Sequence, residues 1–197
     1  MTFALDPAAQ DLLFREAHTA YTFADEPVTD EQIRAVYEMV KYAPTAFNQS
    51  PLRITLVRSP EARQRLVQHM SEGNRPKTST APITAVLSVD LHFHEWLPKL
   101  LPNAPGVKDK FFSEAGPREA HGTFNATLQA GYFILGVRAA GLAAGPMSGF
   151  DRDGVDKEFF GDGKQKSLLV VNIGKPGDEA FRPRSPRLDP EDAITTV

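Results

Sequence analysis

The spacing of hydrophobic residues changes several times along the chain, and each change marks an element. Ile33, Val36, Tyr37 and Val40 recur at helical spacing behind a Thr29–Gln32 capping box, which predicts a helix that must stop near Pro44. Residues 10–18 (QDLLFREAH) carry a shorter helical pattern. Residues 52–58 (LRITLVR) are branched and bounded by Pro51 and Pro60, as a strand would be, and Ser59 with Pro60 then caps and starts a helix to residue 70. The polar run 71–82 (SEGNRPKTSTAP) reads as a loop. Residues 83–89 (ITAVLSV) are apolar at nearly every position, which predicts a strand covered on both faces at the sheet centre.

Residues 92–116 hold Trp96, Pro98, Pro102, Pro105, Gly106 and the pair Phe111–Phe112, a composition suited to an irregular excursion or lid. The longest helical pattern covers 118–140, with Phe124, Leu128, Ile134, Leu135 and Val137 on a broad apolar surface and small residues at Ala126, Ala130 and Gly131. A helix apolar almost all round must be buried at the domain centre or in a subunit interface, and the interface is the expectation. Asp151 caps a short helix to residue 160, residues 168–173 (LLVVNI) read as a second buried strand, and the tail is rich in proline and arginine. This succession of helices and strands predicts a mixed α/β (α+β) arrangement.

Composition narrows the function. With 197 residues and 41% hydrophobic content, one core and one domain over 1–197 are expected. A net charge of −3 with scattered basic residues argues against nucleic acid as a partner. The absence of cysteine removes thiolate nucleophiles, iron–sulfur ligation and sulfur-ligated zinc, so any redox work falls to a bound cofactor. The N-terminus lacks a signal-peptide pattern and no run reaches membrane-spanning length, so a cytoplasmic protein with no membrane partner is expected.

Several chemistries find little support. Gly145–Gly149 misses the nucleophile-elbow spacing by one residue, and GDGKQKS at 161–167 misses the phosphate-loop spacing. His92 and His94, alternate positions in a His-x-His-Glu95 run, could contribute to a metal site, but no third ligand is evident nearby and the bland reading is a pair of partly solvated histidines. Three other segments fit together. Residues 43–51 (APTAFNQSP) leave a helix and enter a strand with side chains able to read a polar heterocycle. Asn74 and Lys77 offer an amide and a cation for the pyrimidine edge of such a ring, where positive charge would favour its reduced form. Residues 145–149 can bring backbone N–H groups close to a ligand. Each has an ordinary alternative: a helix-to-strand turn, an exposed loop with a solvated lysine, a Gly/Pro turn.

In order and composition, APTAFNQSP, the Asn74–Lys77 spacing and GPMSGFD resemble the FMN-dependent nitroreductase family. The runs YAPTAFNQSPLR, GNRPKTSTAP, NATLQAGYFILGVRAAGLAAGPMSGFD and RSPRLDPEDA look like its malonic semialdehyde reductase (RutE/HadB-like) subgroup, and the similarity extends from about the first helix to near the C-terminus. The resemblance implies a three-layer fold with a central, mostly antiparallel sheet flanked by helices, in an intertwined homodimer with FMN at the interface. It implies transfer of hydride from NADH or NADPH, through flavin N5, to a small-molecule electrophile such as a semialdehyde, enone, quinone or nitro compound. No catalytic side chain is required, because the flavin carries the chemistry.

By the same resemblance, Asn74 and Lys77 meet the pyrimidine side of the ring. Pro146, Met147, Ser148 and Gly149 line one face, and Pro44, Thr45 and Asn48 come from the partner subunit. Arg187 matches the arginine used on the FMN phosphate, with Arg184 as a second contact. The sequence departs from the family at the N-terminus, where an arginine–serine–x–arginine run is usual and this chain has only His18 and Thr19 to donate. It departs again at Phe124, where the subgroup tends to carry arginine. The missing cations leave open an alternative reading, a diverged, non-catalytic flavin-binding protein with weak FMN affinity.

Overall fold

The computed structural model describes residues 2–197. Its helices are α1 (Pro7–Gln10), α2 (Asp30–Val40), α3 (Pro60–His69), α4 (Arg75–Thr80), α5 (Leu97–Leu100), α6 (Val107–Phe111), α7 (Ala115–Ala139), α8 (Arg152–Phe159) and α9 (Pro190–Ala193). Its strands are β1 (Leu52–Val57), β2 (Ile83–Asp90), β3 (Ala143–Met147) and β4 (Gln165–Gly174). Local sequence sets many of the starts. The Thr29 hydroxyl accepts from Gln32 N–H at 3.2 Å while the Gln32 side chain accepts from Thr29 N–H at 2.8 Å, closing the capping box. Ser59 and Asp151 cap α3 and α8 in the same way, through Ala62 and Gly154 N–H.

The strands form one antiparallel sheet in the order β1-β2-β4-β3. Every residue of β2 is buried, as the apolar run at its centre requires. Alternation along β2 divides two cores. Ile83, Ala85 and Leu87 face α2 and α7, with Val36, Phe133 and Val137; Val86 faces α3 and α8, with Leu66, Val155 and Val170. The result is three layers, helices on sheet on helices. Gly136 allows the α2–α7 contact, since a Cβ there would come within 2.3 Å of a Val40 methyl carbon. No helix among the described residues is long and apolar enough to cross a membrane.

Several expectations are corrected. The N-terminal helix begins earlier than residue 10: Asp6 caps Pro7–Gln10, and a π-helical turn at Asp11–Arg15 ends it before His18. Residues 71–82 are not simply a loop but a 3-10 turn, Glu72–Asn74, leading into α4, because Pro76 is pre-set for a first helical turn. Residues 145–147, read as part of a Gly/Pro segment, belong to edge strand β3, where a proline costs no ladder bond on the unpaired side. The excursion contains α5 and α6 around a small core of Phe93, Leu97 and Phe112. Of the small residues on α7, Ala126 and Ala130 pack within the chain, and Gly131 lies where a Cβ would meet none of the chain's own atoms within 4 Å.

Candidate active site

One half of the candidate site is a cradle between α4 and the end of β3. The Gly149 carbonyl accepts from Ser71 N–H at 3.0 Å and from the Asn74 amide at 2.8 Å, while Met70 bridges Phe150, so the 149–151 turn is laced onto the 69–74 stretch. Glycine at 149 leaves the Asn74 side chain its place: a Cβ would sit 2.9 Å from the Asn74 amide nitrogen and 3.1 Å from the Ser71 hydroxyl, so the amide would have to shift. The Asn74 backbone carbonyl accepts from the Thr78 hydroxyl at 2.9 Å, while the side-chain amide oxygen Oδ1 accepts no hydrogen bond among the described residues and is available to a ligand donor. Beneath the cradle, the wholly buried Asn172 accepts from Thr84 at 2.8 Å and donates to the Lys77 carbonyl at 3.1 Å, tying α4 to the sheet. Met147 turns inward, its sulfur 3.9 Å from the Thr78 hydroxyl, which leaves Pro146, Ser148 and the strand-end backbone facing out.

Residues 17–21 run along the outer side of β3. Ala20 N–H donates to the Ala144 carbonyl at 3.0 Å, and Tyr21 N–H to Ala180 at 2.9 Å. At one end of this rail Arg184 donates to the carbonyls of Arg15 and Ala17, and His18 packs on Phe181 with ring centroids 5.6 Å apart. His18 also lines a cavity of about 210 Å³ together with Arg138, whose buried Nε has no hydrogen-bond partner. Burial, and then the Arg184 guanidinium, push Arg138 below the ordinary arginine range. At the other end, Lys77 lies over the ring of Tyr21, and burial pushes its pKa down, with a smaller push from Arg182. None of His18, Lys77, Arg138, Arg182, Arg184 and Arg187 forms an ion pair among the described residues. The uncompensated guanidinium and ammonium groups along the rail, Arg138, Arg182, Arg184 and Lys77, attract an anion.

The other half, residues 43–51, is irregular and strained. Phe47, Asn48 and Ser50 have positive φ (54°, 50° and 42°), a costly set for side chains with a Cβ. Amides on α7 hold it: Asn125 accepts from Ala46 N–H at 2.8 Å, Gln129 accepts from Leu52 N–H at 3.0 Å, and the buried Gln49 meets His121 at 2.9 Å. Thr45 accepts from Ser50 N–H and Asn48 donates to Leu100 in the excursion, while Pro44 is exposed. The Phe47 ring stacks on Phe111, with centroids 5.3 Å apart.

These halves do not meet within one chain. Residues 43–51 lead into β1, one edge of the sheet, whereas 146–149 end β3, the other edge. Leu52 pairs with Val89 and Val89 with Lys166, but Met147 pairs with Val170. Three inter-strand steps of about 4.8 Å and four residues of about 3.3 Å along β4 place them roughly 19 Å apart.

Comparison with known proteins decides the family. The nitroreductase family profile matches residues 14–175. This chain belongs to the nitroreductase family. A Streptomyces coelicolor relative, provisionally named NADH dehydrogenase/NAD(P)H nitroreductase, is 67% identical over 197 residues, the whole of both chains. Among solved structures, a provisionally named nitroreductase from Bacillus subtilis superposes with a TM-score of 0.87 at 22% identity, covering 98% of this chain and 100% of that one. A provisionally named nitroreductase in complex with FMN, from Exiguobacterium sibiricum, gives 0.85 at 17% identity, covering 100% and 99%. The three-layer antiparallel architecture is thus the nitroreductase fold.

Of the residues singled out in the sequence, the fold brings together Asn74, Lys77, Pro146, Ser148 and Gly149, with Met147 contributing backbone. His18, Thr19 and Arg184 lie along the adjoining rail. Pro44, Thr45 and Asn48 sit at the opposite sheet edge. Arg187 is exposed, and its guanidinium donates only to the nearby carbonyls of Ser185 and Pro186. Tyr21, Arg138, Asn172 and Arg182 were not anticipated. Two buried strands flanking a polar residue hint at Asn172, but nothing local marks the other three. The histidines considered for a metal follow β2, with His94 in a 3-10 turn, and no group of three or more metal-ligating side chains occurs among the described residues.

Proposed function

We propose that this nitroreductase-family protein is a homodimeric, FMN-dependent NAD(P)H oxidoreductase of the cytoplasm, each chain a single domain. Its acceptor is a small electrophile, and malonic semialdehyde reductase of the RutE/HadB type is the leading candidate. The observation that carries this reading is the rail of unpaired cations from Arg138 and Arg184, past the His18 ring, to Lys77, ending on the Asn74–Gly149 cradle. Such a donor set fits FMN, an anionic phosphate at one end and an electron-rich pyrimidine edge at the other. Residues 18–21 span at most about 10 Å, a length suited to a ribityl chain.

Bound there, FMN would supply the hydride chemistry that a chain without thiols lacks. The residues of the chain do the remaining work. The Asn74 side-chain oxygen Oδ1 is free to accept from a ring N–H, the Lys77 ammonium biases that edge towards negative charge, and the 147–149 backbone offers an unobstructed approach. Arg184, Arg187, His18 and Thr19 are assigned to the phosphate. A guanidinium pair suits its dianion, and the orphaned Arg138 Nε offers a further cation.

The separation of the two halves supports a dimer in which Pro44, Thr45 and Asn48 complete the partner's site. So does the exposed apolar stripe Phe124, Leu128 and Tyr132 on α7. The outer edge of β1 is unpaired among the described residues and borders a groove of about 830 Å³ lined by Ile33, Tyr37, Ile54 and Leu56. An unpaired edge invites a strand, and the exposed Leu188, Ile194 and Val197 of a partner's tail would supply the apolar side chains of an intertwined dimer.

The test is the visible spectrum of the purified protein after addition of FMN, followed by anaerobic NADH or NADPH and then a panel of semialdehydes, enones, quinones and nitro compounds. The reading expects flavin bands that bleach with the nicotinamide and return with at least one acceptor. Bound flavin that no nicotinamide bleaches would favour the non-catalytic alternative, and no flavin uptake at all would reject both.

A further inference from the structure

Tyr21 carries two cations. Lys77 Nζ lies 4.8 Å from the centroid of its ring and the Arg182 guanidinium carbon 4.0 Å from the same centroid. Neither is neutralised by a carboxylate among the described residues. Like charges gathered over one ring repel, and the quadrupole of a phenol offsets only part of that. An arrangement of this kind is completed by an electron-rich ligand. The position of the ring is fixed from both sides: Tyr21 N–H is held by the Ala180 carbonyl, two residues before Arg182, and Ala20 by Ala144 on the strand that leads to the 146–149 turn. Lys77 follows Asn74 by three residues, so their side chains share one face of α4. Arg182 itself is exposed, so a ligand can reach it where it lies on the Tyr21 ring.

We infer that Arg182, Tyr21 and Lys77 act as one unit on the pyrimidine edge of the flavin, with Arg182 supplying a second cation and Tyr21 holding both in place. The inference rests on the flavin reading of the cradle. Arg182 and Tyr21 are positioning and electrostatic residues, not proton donors. A ring that gains electrons gains negative charge at this edge, so paired cations there bind the reduced form more tightly and raise the potential.

Riboflavin separates this role from a phosphate contact, because it has the ring without the phosphate. The full-length protein and its Arg182→Gln, Tyr21→Leu and Tyr21→Phe variants are titrated with FMN and with riboflavin by fluorescence quenching, and the potential of each loaded protein is then measured against reference dyes. Arg182→Gln should weaken both flavins by the same factor, about tenfold. It should weaken the reduced form about tenfold further, lowering the two-electron potential by about 30 mV. Tyr21→Leu should do the same, and Tyr21→Phe, which keeps the ring, should behave as the unaltered protein. Loss of FMN affinity alone would make Arg182 a phosphate ligand and overturn the assignment, as would an unmoved potential. Failure of the unaltered protein to bind either flavin would instead refute the flavin reading itself.

Discussion

From Asn74 to Lys77 the chain is the start of a helix, tied to the sheet through buried Asn172 and to the facing turn through Gly149. From Ala43 to Pro51 its only regular piece is a distorted 3-10 turn at Ala46–Asn48, and three of its residues have positive φ in a segment held by side chains on α7, by Thr45 and by the Leu100 carbonyl. The cradle is thus relaxed and built to present charge, whereas the 43–51 segment is strained and built to present a shape. A relaxed cradle can lose a ligand contact without losing its fold. A strained segment depends on its restraints, so damage there should register first as stability.

Asn125→Leu should therefore have the largest effect on folding. It leaves the Ala46 N–H without its acceptor and releases the strained turn, costing about 1–3 kcal/mol in urea unfolding, with faster hydrogen exchange at 45–50. A loss below about 0.5 kcal/mol, the range of ordinary surface substitutions, would show that the segment is not under tension. On the cradle side, Gly149→Ala should leave the melting temperature nearly unchanged while pushing Asn74 aside. Flavin affinity should fall about tenfold, as expected for one lost hydrogen bond of about 1.4 kcal/mol. Unfolding of this variant would erase the contrast.

Smaller effects separate the phosphate end from the ring end. Arg187→Ala should reduce FMN affinity while sparing riboflavin and thermal stability. Arg184→Ala should lower both FMN affinity and the melting temperature, because Arg184 also holds the carbonyls of Arg15 and Ala17. Identical behaviour of the two variants would contradict their separate placements. The smallest expected effect is a pH dependence. Burial, reinforced by Arg182, holds Lys77 below the ordinary lysine range. Its charge, and with it flavin affinity, is complete at low pH and is lost as pH rises through that lowered value. Because the folded state binds this proton less tightly than the unfolded chain does, the same titration makes stability rise, not fall, over that window. Lys77→Met should abolish the high-pH fall in affinity, which flavin titrations at neutral and alkaline pH would show.

How much of this was legible in the sequence depended on whether the cause was local. Helix N-caps act over three residues, so the starts of α2, α3 and α8 could be read directly, and the nearly all-apolar run 83–89 placed β2 at the centre. β3 was hidden because Gly145 and Pro146 look like breakers, and only its position at a sheet edge makes the proline harmless. Asn74, Lys77 and the 145–149 segment were recognisable through their pattern. Tyr21 and Arg182 were not, since 161 positions separate residues whose chemistry exists only once the tail folds back. The positive φ of Phe47 and Asn48 likewise follows from restraints imposed by α7, over 70 residues away.

The central claim is that one flavin site needs the cradle of one chain and the 43–51 segment of another. Its most direct test is complementation. Chains carrying Lys77→Glu and chains carrying Thr45→Glu are produced together under two different tags, and the mixed dimer is purified through both. The account predicts that each variant alone is colourless, while the mixed dimer, which retains one intact pairing of halves, carries one flavin per two chains. A colourless mixed dimer, or full flavin loading of the Thr45→Glu protein on its own, would contradict it.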